Sequence, residues 1–164
     1  MGGFAVWVTG PEERANQAIA DDVVARLRAR RVPTELLDRR TAGGAEVAPE
    51  ALPFLATVLG RHGVATVVAL PTPKRSIRER ARAELPRMIE VYVYPAEATT
   101  DPDYEPPTRP EVEVAVPEVA PGTGADRVLM TLEVLGCLAR PEESGYAEQE
   151  EREVIRRLKA FGYL

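Results

Sequence analysis

Hydrophobic positions along the chain alternate between short continuous runs and longer stretches with helical spacing. Short apolar runs closed by turn residues are typical of buried strands, and apolar residues at every third or fourth position are typical of amphipathic helices. We predict strands at residues 4–8, 33–37, 64–70, 89–93 and 112–116, and helices at about 12–31, 49–62, 76–85, 123–138 and 146–161. This alternation predicts an α/β fold with a mostly parallel central sheet and helices on both faces.

Two of the predicted strands differ from the others in their pattern. Residues 64–70 form the most continuous apolar run, which indicates a central strand of a parallel sheet. Residues 112–116 alternate between apolar and polar, as an edge or terminal strand does. Ligands bind beyond the carboxyl ends of the strands in open sheets of this kind. The candidate site is therefore formed by the loops at 9–17, 38–48, 71–76 and 94–110.

Composition narrows the function classes. The chain has 164 residues, which suits one domain, and a net charge of −5, which argues against a nucleic-acid binder held by phosphate contacts. A single cysteine, Cys137, and a single histidine, His62, argue against a disulfide framework and a Cys- or His-based metal centre. The single cysteine suits a reducing cytoplasm, and no apolar stretch is long enough to span a membrane. We therefore expect a cytoplasmic protein that has neither a membrane nor, given its charge, a nucleic acid as a partner.

The first loop lies where a nucleotide-phosphate loop would be expected. That loop requires Gly-x-x-x-x-Gly-Lys-Ser/Thr, because glycines aim N–H groups at phosphate, lysine neutralises it and the hydroxyl binds magnesium. After Gly10, Ala15 replaces the second glycine, Asn16 stands at the lysine position and Gln17 at the hydroxyl position. Arg14 is the only cation in the segment. The pattern predicts a degenerate loop that does not cradle a triphosphate.

Several segments resemble adenylylsulfate (APS) kinases. Residues 4–10, Phe-Ala-Val-Trp-Val-Thr-Gly, are similar to the family's opening Phe-Thr-Val-Trp-Phe-Thr-Gly. Residues 72–79 resemble the family's Ser-Pro-Tyr-Arg-x-x-Arg-Asp, and residues 101–107 resemble its Asp-Asp-Pro-Tyr-Glu-Pro-Pro. The matching segments keep the same order from residue 3 to about residue 138. The resemblance implies a three-layer P-loop kinase fold and, in an active member, phosphorylation of APS by magnesium-ATP.

The departures from the family pattern fall on groups that handle phosphate. Of two aspartates that follow the second strand in the family, only Asp38 remains. The helix that carries an arginine-rich APS-binding stretch is shortened to residues 49–55, and the basic lid is reduced to residues 97–100. Because phosphoryl transfer depends on positioning and electrostatic stabilisation, a scaffold without these groups is typical of a pseudoenzyme.

Each residue that still matches the family pattern allows two interpretations. Asp38 would bind magnesium or take a proton in an active enzyme, or it caps the following loop. Arg75 and Arg78 correspond to arginines that face the family's substrate site, or they belong to a solvated basic helix face. For Thr72 the alternatives are a contact with an adenylate or a hydroxyl that stabilises a turn. For Tyr104 they are stacking on adenine or packing within its own loop.

The C-terminal part is predicted as a separate piece. We assign residues 1–140 to the APS-kinase-like domain and residues 141–164 to a linker and an amphipathic helix. A single apolar stripe on this helix is compatible with docking on its own domain or on a partner.

Three functions follow from these observations. The first is a non-catalytic APS-kinase-like protein that regulates or scaffolds sulfate activation, requires no cofactor and binds Mg-ATP or APS at most weakly. The second is an active adenylylsulfate kinase with a non-standard phosphate loop, in which Arg14 replaces the lysine. The third is a pure protein-interaction module. The resemblance also implies a homodimer and a sulfate-activation enzyme as partner.

Overall fold

The computed structural model describes residues 2–41, 43, 46–97, 101–141 and 148–164. Within these ranges one parallel sheet has the strand order β2-β3-β1-β4-β5. Its strands are β1 (Ala5–Thr9), β2 (Thr34–Leu37), β3 (Ala65–Val68), β4 (Met88–Pro95) and β5 (Val112–Val116). The edge position of β5 agrees with its alternating pattern. The apolar run at 64–70 gives an interior strand, β3, whereas the centre of the sheet is β1.

Helices cover both faces of the sheet. They are α1 (Glu13–Ala29), α2 (Leu52–Arg61), α3 (Arg75–Glu84), α4 (Thr123–Val134) and α5 (Glu148–Ala160). Helices α1 and α4 share one hydrophobic core with the sheet, and α2 and α3 share a second core with its other face. In the described part of the chain, no helix is long and apolar enough to cross a membrane. The predicted three-layer α/β fold is confirmed.

The side chains of strand β1 contribute to both hydrophobic cores. Side chains alternate between the faces of a strand. Val6 and Val8 therefore pack towards α1 and α4, while Ala5 and Trp7 pack towards α2 and α3. Every residue of β1 is buried. A continuous apolar run is thus required for a central strand covered by helices on both sides.

Element boundaries differ from the sequence-based ones by a few residues. The helix predicted at 49–62 begins as a short 3₁₀ turn over Pro49–Ala51, and α2 follows. Pro53 lacks the N–H that an α-helical bond to residue 49 would need. At the other end Gly63 adopts a positive φ of 73°, which explains why the helix stops there. Helix α4 ends at Val134 rather than at residue 138.

The C-terminal helix docks on its own domain. Val154 and Leu158 of α5 form a small core with Met130 of α4. The guanidinium of Arg157 donates to the Glu113 carboxylate over 2.8 Å, which ties α5 to strand β5. The predicted helix start at residue 146 and most of the predicted linker lie outside the described residues. Docking on a partner is therefore not needed to bury the apolar stripe of α5.

The docking of α5 can be tested by truncating its central apolar contact. Leu158 is fully buried, so Leu158→Ala should lower the free energy of unfolding by about 2–5 kcal/mol in urea denaturation. The exposed Arg156→Ala on the same helix should change it by no more than about 0.5 kcal/mol. Equal effects of the two substitutions would contradict the packing of α5 on α4.

Candidate functional site

The segment after β1 forms a tight turn into a helix. Only residues 10–12 separate β1 from α1, because α1 begins at Glu13. The backbone N–H of Asn16 donates to the carbonyl of Glu12 over 3.1 Å. This N–H, which would face phosphate in the expected loop, is thus part of the helical hydrogen-bonding pattern. Arg14 is exposed in the first turn of α1.

Asn16, at the lysine position, points back into the turn. Its side-chain amide Nδ2 donates to the Gly10 carbonyl over 2.9 Å, and the residue is buried. A Cβ on Gly10 would lie 2.0 Å from the carbonyl oxygen of Val93 and 2.7 Å from Asn16 Oδ1. Only glycine therefore fits at residue 10, because β4 and α1 both approach its backbone closely.

Asp38 lies at the end of β2, opposite α1, as predicted for this edge of the sheet. Its carboxylate accepts hydrogen bonds from the backbone N–H groups of Arg40 and Thr41, at 2.8 and 2.9 Å. It also accepts one from the Arg40 guanidinium, at 2.7 Å, and one from Gln17 Nε2, at 3.0 Å. The two backbone bonds are those of a loop cap. In the expected phosphate loop, a hydroxyl at position 17 would bind magnesium together with the carboxylate. Here Gln17 instead donates an amide N–H to the Asp38 carboxylate.

The same contacts set the protonation of Asp38. Burial acts to raise the pKa of this carboxyl, but hydrogen bonds from the backbone and side chain of Thr41 and from Arg40 outweigh it. The pKa therefore lies below its ordinary value. A general base needs a pKa near the operating pH, so a carboxylate held in this way is a weak proton acceptor.

Arg78 does not lie on a solvated helix face. Only 1% of its side chain is exposed, and its guanidinium donates to the Glu90 carboxylate over 2.8 Å. The two terminal nitrogens donate to the backbone carbonyls of Thr72 and Glu105. Arg78 thereby joins α3, strand β4 and the loop that contains Tyr104. The solvated basic face proposed for this helix therefore does not include Arg78.

Tyr104 packs its loop against the carboxyl ends of the strands. Its ring stacks on Tyr92 with 6.2 Å between centroids, and the Arg78 guanidinium lies 5.3 Å from the Tyr104 centroid. The Tyr104 and Thr9 hydroxyls form a hydrogen bond of 2.9 Å. Burial raises the pKa of Tyr104 to about 12, although Thr9 and Arg78 act in the opposite direction.

Thr72 and Arg75 also make contacts within the protein. The buried Thr72 hydroxyl accepts a hydrogen bond of 2.9 Å from the Trp7 indole. The backbone N–H of Arg75 donates to Glu105, and its Nε donates to the carbonyl of Pro106. Thr72, Arg78 and Tyr104 thus lie together, whereas Asp38 and Gln17 form a separate group across the sheet. Whether any of them contacts a ligand remains a prediction.

Two acids of this region are absent from the predicted site. Glu90 and Glu105 hold Arg78 and the start of α3, respectively. A signal for Glu90 exists in the sequence, because an acid inside an apolar strand is almost always buried with a partner. Glu105 carries no such signal. Among the described residues, no three His, Cys, Asp or Glu side chains cluster so as to hold a metal ion.

The Arg78–Glu90 pair should be energetically coupled. Arg78→Met leaves the Glu90 carboxylate buried and short of its main partner, and should lower the free energy of unfolding by about 3–5 kcal/mol. The double variant Arg78→Met/Glu90→Leu should be more stable than Arg78→Met alone, because the uncompensated Glu90 carboxylate is removed. Urea denaturation of the set measures this coupling, and additive losses would contradict it.

The lowered pKa of Asp38 predicts a pH dependence of stability. Since this pKa is depressed in the folded state, its stabilising effect should be lost as the pH falls below the ordinary value of 3.8. Asp38→Asn should be less stable than wild type at neutral pH and lose less stability on acidification. Urea midpoints measured across the acid range test this, with the exposed Asp103→Asn as the matched control.

Several known proteins with similar sequences or structures are described as adenylyl-sulfate (APS) kinases. The probable adenylyl-sulfate kinase of Pyrococcus abyssi is 31% identical, over 84% of this chain and 99% of that protein. A hexameric APS kinase from Thiobacillus denitrificans has a TM-score of 0.70 at 24% identity, over 85% of this chain and 30% of that one. The Mycobacterium tuberculosis APS kinase CysC, solved with AMPPNP and APS, has a TM-score of 0.62 at 20% identity, over 80% and 98%.

No family model matches the chain. The structural matches, at identities below 25%, establish the fold. The match to the archaeal relative extends over nearly all of that protein at 31% identity. The chain therefore belongs to the adenylyl-sulfate kinase family.

Proposed function

We propose that this chain is a non-catalytic member of its family, with a regulatory or scaffolding role in sulfate activation. The observation that carries the proposal is the geometry of the turn between β1 and α1. Helix α1 begins at Glu13, and Asn16, at the position of the phosphate-binding lysine, donates to the Gly10 carbonyl. The segment therefore has neither the extended loop nor the ammonium group that a triphosphate requires.

The arginines near this turn support the same conclusion. Arg39 and Arg40 stand where the family has glycine and a second acid. Arg39 pairs with Glu13, and Arg40 pairs with Asp21 and Asp38. These two cations are neutralised by carboxylates of the protein. Transition-state stabilisation in phosphoryl transfer needs positive groups directed at the phosphate.

The residues also do not fit magnesium-ATP. In a P-loop enzyme a hydroxyl and a carboxylate hold the metal together. Here Gln17 donates an amide N–H to Asp38, and an N–H group cannot bind a cation. We therefore propose that Mg-ATP or APS binds at most weakly.

An active adenylyl-sulfate kinase is the second candidate. It is favoured by the similarity to the Pyrococcus relative and by the retention of Asp38 at the carboxyl edge. In this case the exposed Arg14 would have to supply the charge of the missing lysine. A homodimer is part of both proposals, and the hexameric relative from Thiobacillus supports association in this family.

Turnover and binding assays separate the two candidates. With APS and Mg-ATP, a non-catalytic protein should produce no ADP above the blank at high protein concentration, because the first loop has no lysine to neutralise the transferred phosphoryl. The Mycobacterium enzyme is the positive control. ADP formation that Asp38→Ala abolishes, and that a matched surface variant such as Asp103→Asn retains, would overturn the proposal and support the active kinase.

Thermal-shift titration measures binding separately from turnover. A ligand at a hundred times its Kd stabilises by about 2.7 kcal/mol, which raises the Tm of a domain of this size by roughly 5–10 °C. For Mg-ATP we expect a much smaller shift at millimolar concentration. A shift with APS or its 3′-phosphorylated product alone would support a regulator that senses sulfonucleotides. A full shift with ATP would contradict the weak binding proposed here.

A further inference from the structure

A cavity lies on the α3 face of the sheet. Its volume is about 380 Å³, and it is bordered by α3, by residues 107–111 and by the C-terminal turn at residues 161–163. Of the residues predicted for the nucleotide site, only Arg75 contributes to its wall. A cavity of this size is in the range of small-molecule sites.

The floor of this cavity is a closed network of ion pairs. Arg82 donates two hydrogen bonds to the Glu111 carboxylate, at 2.5 and 3.0 Å, and a longer one to Glu90 at 3.3 Å. Tyr163 donates its hydroxyl proton to Glu111 as well. Burial acts to lower the pKa of Arg82, but the bonds to Glu111 outweigh it and the pKa is raised. Glu90 is also paired with Arg78 over 2.8 Å, so two guanidiniums balance the two carboxylates of the floor.

The rim of the cavity carries charges with free hydrogen-bonding capacity. Arg75 uses its Nε for the Pro106 carbonyl, and Arg109 uses one terminal nitrogen for the Phe161 carbonyl. Within the described residues, neither guanidinium makes a further hydrogen bond. Glu79 adds one carboxylate, so the three rim groups leave a net positive charge.

The C-terminal turn supplies the apolar wall. The Arg109 guanidinium lies 5.0 Å from the centroid of the Phe161 ring, and the half-exposed Tyr163 stands beside it. Stacking on Phe161 restricts Arg109, which lowers the entropy lost when it binds an anion. The cavity therefore combines two guanidiniums with an aromatic surface.

We propose that this cavity binds a small organic oxyanion. Arg75 and Arg109 donate to its carboxylate or phosphate group, and its apolar part packs against Phe161 and Tyr163. Guanidinium groups suit both anions because their paired N–H donors match the spacing of two oxygens. The site is independent of the turn between β1 and α1, so it does not depend on the proposed loss of catalysis.

Phenyl phosphate and benzoate are suitable probes, with phenol as the ring without an anion. In an NMR titration of the full chain, both anions should give saturable shifts at Arg75, Arg109 and Phe161, and phenol should give none. Arg75→Gln and Arg109→Gln should each weaken binding about tenfold, as expected for loss of a charged hydrogen bond. Phe161→Ala should weaken phenyl phosphate binding more than that of inorganic phosphate.

The control variant is Arg80→Gln, also on α3. Arg80 is exposed, pairs with Glu84 and does not line the cavity, so its loss should leave the affinity unchanged. The proposal would be overturned if neither anion bound saturably. It would also be overturned if Arg80→Gln lost as much affinity as Arg75→Gln and Arg109→Gln. Because none of the substituted residues is fully buried, circular dichroism should show all of the variants folded.

Discussion

The ion pair between Arg78 and Glu90 holds together the parts of the molecule that meet at the carboxyl edge of the sheet. Two buried charges are costly to remove from water, so the pair is tolerable only when every donor and acceptor is satisfied. Arg78 meets this condition by bonding to strand β4, to the turn after β3 and to the loop of Tyr104. Together with the Tyr104 contacts to Thr9 and Tyr92, this guanidinium fixes the loop at the predicted substrate edge.

The surroundings of this pair explain why residues that resemble a substrate site make contacts within the protein. Thr72 accepts from Trp7, and Tyr104 bonds to Thr9 and stacks on Tyr92. Across the sheet, Asp38 is satisfied by Gln17 and by its own loop. Two groups of polar residues thus stabilise the edge internally. This arrangement supports our proposal of a non-catalytic family member.

Parts of the candidate site could be predicted from the sequence, because local patterns determine them. The sequence correctly predicted which loops lie at the carboxyl ends of the strands. The evidence was the apolar run at 64–70, the turn after Gly10 and the acid at residue 38. Contacts between distant residues could not be predicted. Arg78 looked like one of several surface arginines of α3, because helical spacing does not reveal that Glu90, on another element, faces it. The cavity beside Arg82 likewise needs residues that are about 80 positions apart.

The sequence by itself determined the strand and helix order, the layers and the absence of a lysine from the first loop, since each depends on residue type and short-range spacing. Tertiary structure alone decided which charges are buried. It also decided that α5 packs on its own domain and that Asn16 turns back to the Gly10 carbonyl. The physical reason is that hydrophobic periodicity is a property of neighbouring residues, whereas pairing of polar groups depends on which distant segments the fold brings within hydrogen-bond distance.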